Sequence, residues 1–324
     1  MKAAVYHRYG PPNVVKLKTV KTPKPKRNEV RVKVHATTVS SADWRLRSLD
    51  VPAGFSILMR LFMGISGPRK NILGTELSGT IDAIGPDVSQ FAVGDQVIAH
   101  PGLSLGAHAE YCVIPEDGHL ALKPDTMSFE QAAALSFGGL TALSFLRDQG
   151  KIKAGESIVI VGASGAVGSA AVQLAKYFGA QVTAVTSTDN VALVANLGAD
   201  HVIDYTEADF TQNGQSYDII MDCVGSSPYS HCKKSLKPQG RLLLVVAGMS
   251  ETISASWTSL FSNKTLIAGS FEATLEDVLY LRGLFQSGDY IPLIDRVYPF
   301  EQIIDAHTYV DTGRKKGSVV IKMA

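Results

Sequence analysis

The apolar and polar positions of the chain follow one rhythm before Lys123 and another after it. Before it, short runs alternate. "EVRVKVHATTV" carries Val at every second place, and "LSGTIDAIG" and "DQVIAH" follow as further short strands punctuated by Gly and Pro. The basic residues from Lys16 to Lys33 alternate with apolar ones around a Pro-rich turn, which predicts solvated strand faces. One segment breaks the alternation. "VPAGFSILMRLFMGISGPRKNILG" has apolar residues at helical spacing and predicts either a packed helix or a flap, with its composition favouring packing.

After Lys123 the elements lengthen. "SFEQAAALSFGGLTALSFLRDQG" is helical in composition, and Ser128 with Gln131 forms a capping-box pattern at its start. Strands are expected at Ser157–Val161, Gln181–Thr186, Tyr217–Asp222, Arg241–Val246 and Leu266–Ser270. Helices fall between the earlier ones, and another is expected over Leu275–Gln286. Strands alternating with helices predict a parallel, doubly wound sheet. The closing stretch reads as a helix followed by the strand "SVVIKM", which is expected to return to the first part of the chain. No internal repeat or low-complexity tract is present.

The densest signal is "VIVGASGAVGSAAVQLAKYFGAQVTAVTST", from Val159 to Thr188, with glycines at Gly162, Gly165 and Gly168. An apolar strand runs into a tight turn. The helix after it keeps Ala171, Leu174, Ala175 and Phe178 on one side, and Gly179 stands where a helix ends. Glycines without Cβ atoms let the backbone approach a ligand, and the helix N-terminus offers free N–H groups to a pyrophosphate. A glycine triplet alone is weak evidence; set between a strand and an amphipathic helix it marks a dinucleotide site.

Composition adds boundaries. The 324 residues suffice for two domains, and the apolar fraction of 45% is that of a globular protein. A formal net charge of +1 gives no support to a nucleic-acid or membrane-surface role. Cys112, Cys223 and Cys232 are odd in number and widely spaced, a poor disulfide framework that fits a reducing compartment. "MKAAVYHRYG" lacks the apolar run of a signal peptide, and Phe55 to Ile65 is too short to span a bilayer, so a cytoplasmic protein is expected.

"GASGAVGSAAVQLAK" followed by "LGADHVIDY" resembles the medium-chain dehydrogenase/reductase superfamily, in particular its zinc-free quinone oxidoreductase-like members. "LGTELSGTIDAIGPDVSQFAVGDQV", "YDIIMDCVG" and "SLKPQGRLLLV" extend the resemblance over the whole chain. It implies a GroES-like β-rich domain over residues 1–123, completed by 293–324, and a Rossmann domain over 124–292. The cofactor residues it implies are Thr141 and the loop Gly162, Ala163, Ser164, Gly165, Ala166, Val167 and Gly168. At later strand ends they are Ser187, Thr188, Tyr205, Val224, Gly225, Ala247 and Gly248. The strand "KTLIAGSF" resembles the edge through which relatives form homodimers.

NAD-specific sites carry an Asp or Glu at the end of the second strand, and here Thr186, Ser187 and Thr188 stand there. Their hydroxyls can bond a 2′-phosphate without repelling it, which points to NADPH; Asp189, turned inward, would favour NADH, and turned outward would cap the next helix. Where zinc-dependent members have metal ligands, this chain has Ser40, Thr75 and Phe137, none of them a usual zinc ligand, and a four-cysteine lobe is missing. His100 and His108 can meet in space, though ordinary loop roles suit them better. Without a metal, the acceptor must delocalise incoming charge itself, as a quinone or an alkene conjugated to a carbonyl does. Ser40 and Asp43 are the catalytic candidates beside the nicotinamide cleft, Asp43 having the other readings of a helix cap or a partner of Arg47. Phe55, Leu58, Met59 and Phe62 can line an apolar acceptor pocket or pack in the core. The expectation is hydride transfer from NADPH to a small electrophilic acceptor. The alternatives are an enoyl or alkenal reductase, a cofactor-binding regulatory protein without turnover, and, more distantly, a zinc alcohol dehydrogenase.

Overall fold

Two sheets account for the change of rhythm near Lys123 in the computed structural model, which describes residues 1–253, 255, 262–269 and 273–323. Strands β1 (Lys2–Val5) and β2 (Lys16–Thr19) pair as a small antiparallel ribbon, and β2 is exposed along its length, as the alternating basic residues predict. Strands β3 (Glu29–Val39), β4 (Leu77–Ile84), β5 (Gln96–Ala99), β6 (Tyr111–Pro115) and β7 (Leu120–Leu122) belong to a seven-stranded sheet. In β3 the buried Val30, Val32 and Val34 alternate with the less buried Arg31 and Lys33, the period of a strand with one wet face. From Ala36 to Val39 both faces are buried, and Ala36 packs against Ala133 and Ala134 of the helix Phe129–Ala134.

The second sheet holds β8 (Ser157–Val161), β9 (Gln181–Thr186), β10 (His201–Asp204), β11 (Tyr217–Asp222), β12 (Leu236–Leu244) and β13 (Thr265–Ala268). They pair in parallel in the order β10-β9-β8-β11-β12-β13. Counted from β8 this is 3-2-1-4-5-6, the dinucleotide-binding order, with its switch point between β8 and β11. Helices cover the sheet, so Ile158, Val159 and Ile160 are all fully buried and the strand reads as an unbroken apolar run. The chain then returns to the first sheet. Strand β15 (Ser318–Lys322) pairs antiparallel with β3, Val319 opposite Val39, and β14 (Ile294–Pro299) pairs with β15 in parallel.

Several local readings hold to the residue. Ser128 and Gln131 form both arms of a capping box, and Gly179 ends the helix Ala166–Tyr177 at a φ of 79°. Others do not. The short edge strand β10 was not among the expected strands, because its four residues carry too little pattern. Strand β12 begins at Leu236, five residues before the apolar run "RLLLVV" announces it, and β13 ends at Ala268, while Ser270 lies outside the described residues. The helix Ser56–Met63 corrects the packing expectation. Met63 is buried and Met59 packs partly on the core, but Ile57, Leu58, Leu61 and Phe62 are more than half exposed. Only the i, i+4 pair faces inward, so helical spacing alone misjudged how much of the helix is covered. His100 and His108 do not meet: His100 lies near His119 and His108 near His307. All three cysteines are free, and no helix among the described residues is long and apolar enough to cross a membrane.

Candidate functional site

The carboxyl ends of the parallel strands place the implied cofactor residues along one crevice. Gly162 and Ala163 follow β8, and both backbone N–H groups donate to Val185 O at 3.1 Å, which ties the loop to β9. Gly165 is the N-cap of the helix Ala166–Tyr177, whose first residues are Ala166, Val167 and Gly168. The three glycines are not equivalent. Gly162 has a φ of 78°, and a Cβ on it would lie 2.5 Å from Val224 Cγ1. A Cβ on Gly168 would overlap the Gly162 carbonyl oxygen, so helix and turn pack through a missing methyl. A Cβ on Gly165 would meet only Gly162 O, at an ordinary 3.6 Å, and its φ of −75° suits any residue. Among the described residues nothing requires glycine at 165, so this side of the loop stays open to a ligand.

Ser187 and Thr188 follow β9. Asn190, nine-tenths buried, donates from Nδ2 to Ser164 Oγ at 3.2 Å and to Ser187 Oγ at 3.1 Å, bridging the glycine loop to the second strand. Its Oδ1 and the Thr186 hydroxyl are buried without partners among the described residues, polar groups that a bound ligand can satisfy. Asp189 is exposed, and the helix Val191–Asn196 is preceded by Asn190, so the capping role expected of Asp189 is not taken. Thr188 and Thr206 share a hydrogen bond of 3.1 Å, and the Asp204 carboxylate is held below its usual range, chiefly by hydrogen bonding from Thr188 and Thr206. Tyr205 is 63% exposed rather than packed at the strand end. Neither Asn190 nor Asp204 was singled out from the sequence, since each looks like an ordinary polar residue at a strand end.

The remaining strand ends are organised by one buried carboxylate. Asp222, the last residue of β11, accepts from the backbone N–H groups of Val224 and Gly225 at 2.9 Å and of Ser227 at 2.6 Å. That leaves Val224 half exposed over Gly162. Ala247 and Gly248 follow β12, and the next residue, Met249, donates its N–H to Ala53 O at 2.9 Å. Thr141 sits in the helix Ser136–Leu143 with its hydroxyl bonded to Phe137 O at 2.7 Å. A Cβ on Gly138 would overlap Ala166 O, so this glycine lets the helix approach the start of the loop helix.

Two crossings from the first sheet close over the crevice. One is Ala53 on Met249; the other is Gly317, whose N–H donates to Ser164 O at 2.8 Å. Glu76, 1% exposed, accepts from Thr38 Oγ1 at 2.5 Å and from Phe137 N at 2.6 Å. Burial pushes its carboxyl up to about 7, against the hydrogen bonds from Thr38 and Phe137. A separate cavity of about 610 Å³, among Gln173, Tyr177, Leu197 and Ile291, opens toward the far end of the loop helix and belongs to a different face.

Of the readings open for Asp43, the geometry shows the helix cap. Ser40 and Asp43 form a capping box at the start of the helix Ser41–Ser48. Asp43 is fully buried: Oδ2 accepts from Ser40 N at 2.8 Å and Ser40 Oγ at 2.6 Å, and Oδ1 accepts from Gly74 N at 2.9 Å. These three bonds and its full burial commit the carboxylate to the cap and to Gly74. Arg47 is not its partner; it pairs with Asp311 at 2.6 Å. Asp43→Ala is therefore expected to cost about 1–2 kcal/mol of stability, the usual worth of a cap, with turnover per folded molecule unchanged. Urea unfolding alongside kcat tests this, and a kcat collapse at full stability would restore a catalytic Asp43.

Residues 26–125 match the family described as "Alcohol dehydrogenase GroES-like domain", and residues 197–321 match "Zinc-binding dehydrogenase". The chain is 31% identical over 333 residues to a 2-methylene-furan-3-one reductase of Solanum lycopersicum, covering 99% of this chain and 79% of that one. It is 30% identical over 339 residues to an NADPH-dependent alkenal/one oxidoreductase of Arabidopsis thaliana, again covering 99% and 79%. Among solved structures it superposes on the quinone oxidoreductase from Coxiella burnetii with a TM-score of 0.87 at 29% identity, covering 100% and 99% of the two chains.

Proposed function

The chain belongs to the medium-chain dehydrogenase/reductase superfamily, in its quinone oxidoreductase-like branch, and from that premise we propose that it is a zinc-independent, NADPH-dependent reductase of quinones or similarly electrophilic acceptors. It is an NAD(P)H-dependent oxidoreductase. The observation that carries the site is Gly165, a glycine the fold does not need at the point where a helix N-terminus faces the crevice. Gly162 through Gly168 would hold the pyrophosphate, Ser187 and Thr188 the adenosine ribose, and Thr141, Val224, Gly225, Ala247 and Gly248 the nicotinamide half. When bound, the reduced nicotinamide supplies a hydride to the acceptor. Ser40 and Asp43 would cap the helix beside the cleft and contribute to stability. Domains over 1–123 with 293–324 and over 124–292, and a homodimer through the outer edge of β13, complete the proposal; β13 has a partner strand, β12, on one side.

Zinc does not suit the donor set. At the positions matching the metal ligands, Ser40 is committed to its cap, Phe137 has no donor side chain and Thr75 offers a neutral hydroxyl. Both oxygens of the neighbouring Glu76 are already engaged. An acceptor that spreads charge over a conjugated system fits such a site better than a plain ketone.

The strand end after β9 lacks the carboxylate of NAD-specific sites, which supports NADPH. Asp204 favours the second reading, NADH, because its carboxylate bonds Thr188 and would repel a 2′-phosphate. Oxidation of NADPH and NADH by the purified protein, with an ortho-quinone and with an enone, in the presence of a chelator, separates these readings. Chelator-insensitive turnover that prefers NADPH is expected. A preference for NADH would assign the pocket to Asp204, a preference for the enone would assign the acceptor to the activated alkenes, and tight binding without turnover would point to a regulatory protein.

A further inference from the structure

Two hydroxyls, those of Ser187 and Thr188, follow β9 at the proposed adenosine end of the cofactor, but only one of them is free to donate. Thr206 Oγ1 gives its proton to Asp204 Oδ1 at 2.7 Å, so the proton in its 3.1 Å bond with Thr188 comes from Thr188. The Thr188 hydrogen is thus spent on Thr206 and Asp204. Ser187 is held differently. Its Oγ accepts from Asn190 Nδ2 at 3.1 Å, and Ser164 Oγ accepts from the same nitrogen at 3.2 Å. An amide nitrogen carries two hydrogens, one for each serine. Neither serine hydroxyl donates to a group among the described residues, so each keeps its own proton for a ligand. Asn190 is nine-tenths buried, whereas both serines are half-buried and within reach of the crevice.

We propose that Asn190 is the positioning residue that selects NADPH: by donating to Ser164 Oγ and Ser187 Oγ, it turns both serine O–H groups into donors for one phosphoryl group, the adenosine 2′-phosphate. The inference rests on the reading of the crevice as a dinucleotide site and names the residue that discriminates between the two dinucleotides. Both serine oxygens bond one nitrogen, so they stand close enough together to serve a single phosphoryl group.

The chemistry of the two ligands explains the selection. A phosphoryl group near neutral pH carries up to two charges and offers three acceptor oxygens. A hydroxyl that rotates freely presents a lone pair to it as readily as a proton. Filling a lone pair of each serine with an Asn190 N–H leaves the proton to face away from the amide. NADH has a 2′-hydroxyl at this place, which both donates and accepts and is indifferent to how the serines are turned. The serines are fixed through their backbones as well: Ser164 O accepts from Gly317 N at 2.8 Å, and Ser187 O accepts from Asn190 N at 2.9 Å. The donors therefore stand in place before the ligand arrives, which lowers the ordering cost of binding.

The test measures dissociation constants for NADPH and NADH by fluorescence titration, with thermal unfolding alongside. It compares the wild type, Asn190→Ala, the pair Ser164→Ala and Ser187→Ala in one chain, and all three substitutions together. The serine pair is expected to weaken NADPH about tenfold or more and NADH only a few-fold, since hydrogen bonds to a charged group are the stronger ones. Asn190→Ala is expected to weaken NADPH about fivefold, with NADH little changed, and to cost nothing more once the serines are gone. A further loss in the serine-free chain would show that Asn190 does not act through them, and would overturn the proposal. So would equal losses for both dinucleotides with a lowered melting temperature, which mark a structural strut. Tighter NADPH binding by Asn190→Ala would show that the amide takes the serine protons instead of freeing them, and a wild type that prefers NADH would also overturn the proposal. If Asn190→Ala does not fold, Ser164→Ala and Ser187→Ala carry the test, because each must weaken NADPH more than NADH. Absence of binding of either dinucleotide to the wild type sinks the functional reading and this one with it; NADPH binding that Asn190→Ala leaves unaltered sinks this one alone.

Discussion

Gly165→Ala leaves the protein folded and weakens NADPH binding by a factor of about ten or more, whereas Gly168→Ala damages the fold itself. The two glycines sit in one loop, yet their surroundings ask different things of them. At Gly165 a methyl meets nothing closer than Gly162 O at 3.6 Å, and the backbone is extended, so the variant folds at no steric cost. The methyl would instead stand where the crevice receives a ligand, at the first turn of the helix Ala166–Tyr177. At Gly168 the methyl overlaps the Gly162 carbonyl oxygen and approaches Ala163 Cα to 2.7 Å. Both are backbone atoms and cannot swing aside, so helix and turn must separate, at a cost of about 2 kcal/mol or more. Fluorescence titration with NADPH and urea unfolding of both variants separate the effects. Undiminished cofactor binding by Gly165→Ala would remove the main support for a pyrophosphate site at this loop.

Asp311→Ala destabilises the protein by about 3 kcal/mol or more, while Arg47→Met costs far less. Arg47 is fully buried and its only charged partner among the described residues is Asp311, reached through Nη2 at 2.6 Å. Among the described residues its Nε and Nη1 have no partner, and the fully buried His307 nearby has none on either ring nitrogen. Burial, His108 and Arg47 hold the His307 imidazole well below its usual range, so it stays neutral beside the guanidinium. Removing Asp311 strands a cation in this core. Removing Arg47 leaves a carboxylate that is 24% exposed and can be hydrated, and methionine fills the guanidinium stem's space. Urea unfolding of the two variants tests the asymmetry; equal losses would show that the pair acts as a symmetric surface bridge.

Much of the architecture was legible because it is written in local chemistry. The valines of β3 announce a one-sided strand, and the unbroken apolar run of β8 announces a covered one. Ser128, Gln131 and Gly179 cap their helices through atoms within a few residues of each other, and sequence reports such contacts faithfully. The glycine loop belongs to the same class, since strand, turn and helix follow one another without interruption. Readings failed where the partner lies far along the chain. Arg47 has an acid four residues before it, but the buried face of its helix meets Asp311, 264 residues away. The cap by Asp43 is local and legible, whereas its bond from Gly74 N, 31 residues away, is not.

The sequence by itself determined the two sheets, the glycine-rich loop between strand and helix, and the family, because strand period, turn glycines and helix caps are set by neighbours in the chain. Tertiary structure alone decided which polar groups are spent and which are left for a ligand. Glu76 is engaged by Thr38 and Phe137, Asn190 joins Ser164 to Ser187, and Gly317 is brought to the glycine loop by the return of β15 to β3. Each of these depends on contacts between residues remote in sequence, and burial, which sets the reactivity of a carboxyl, comes into being only when those contacts close.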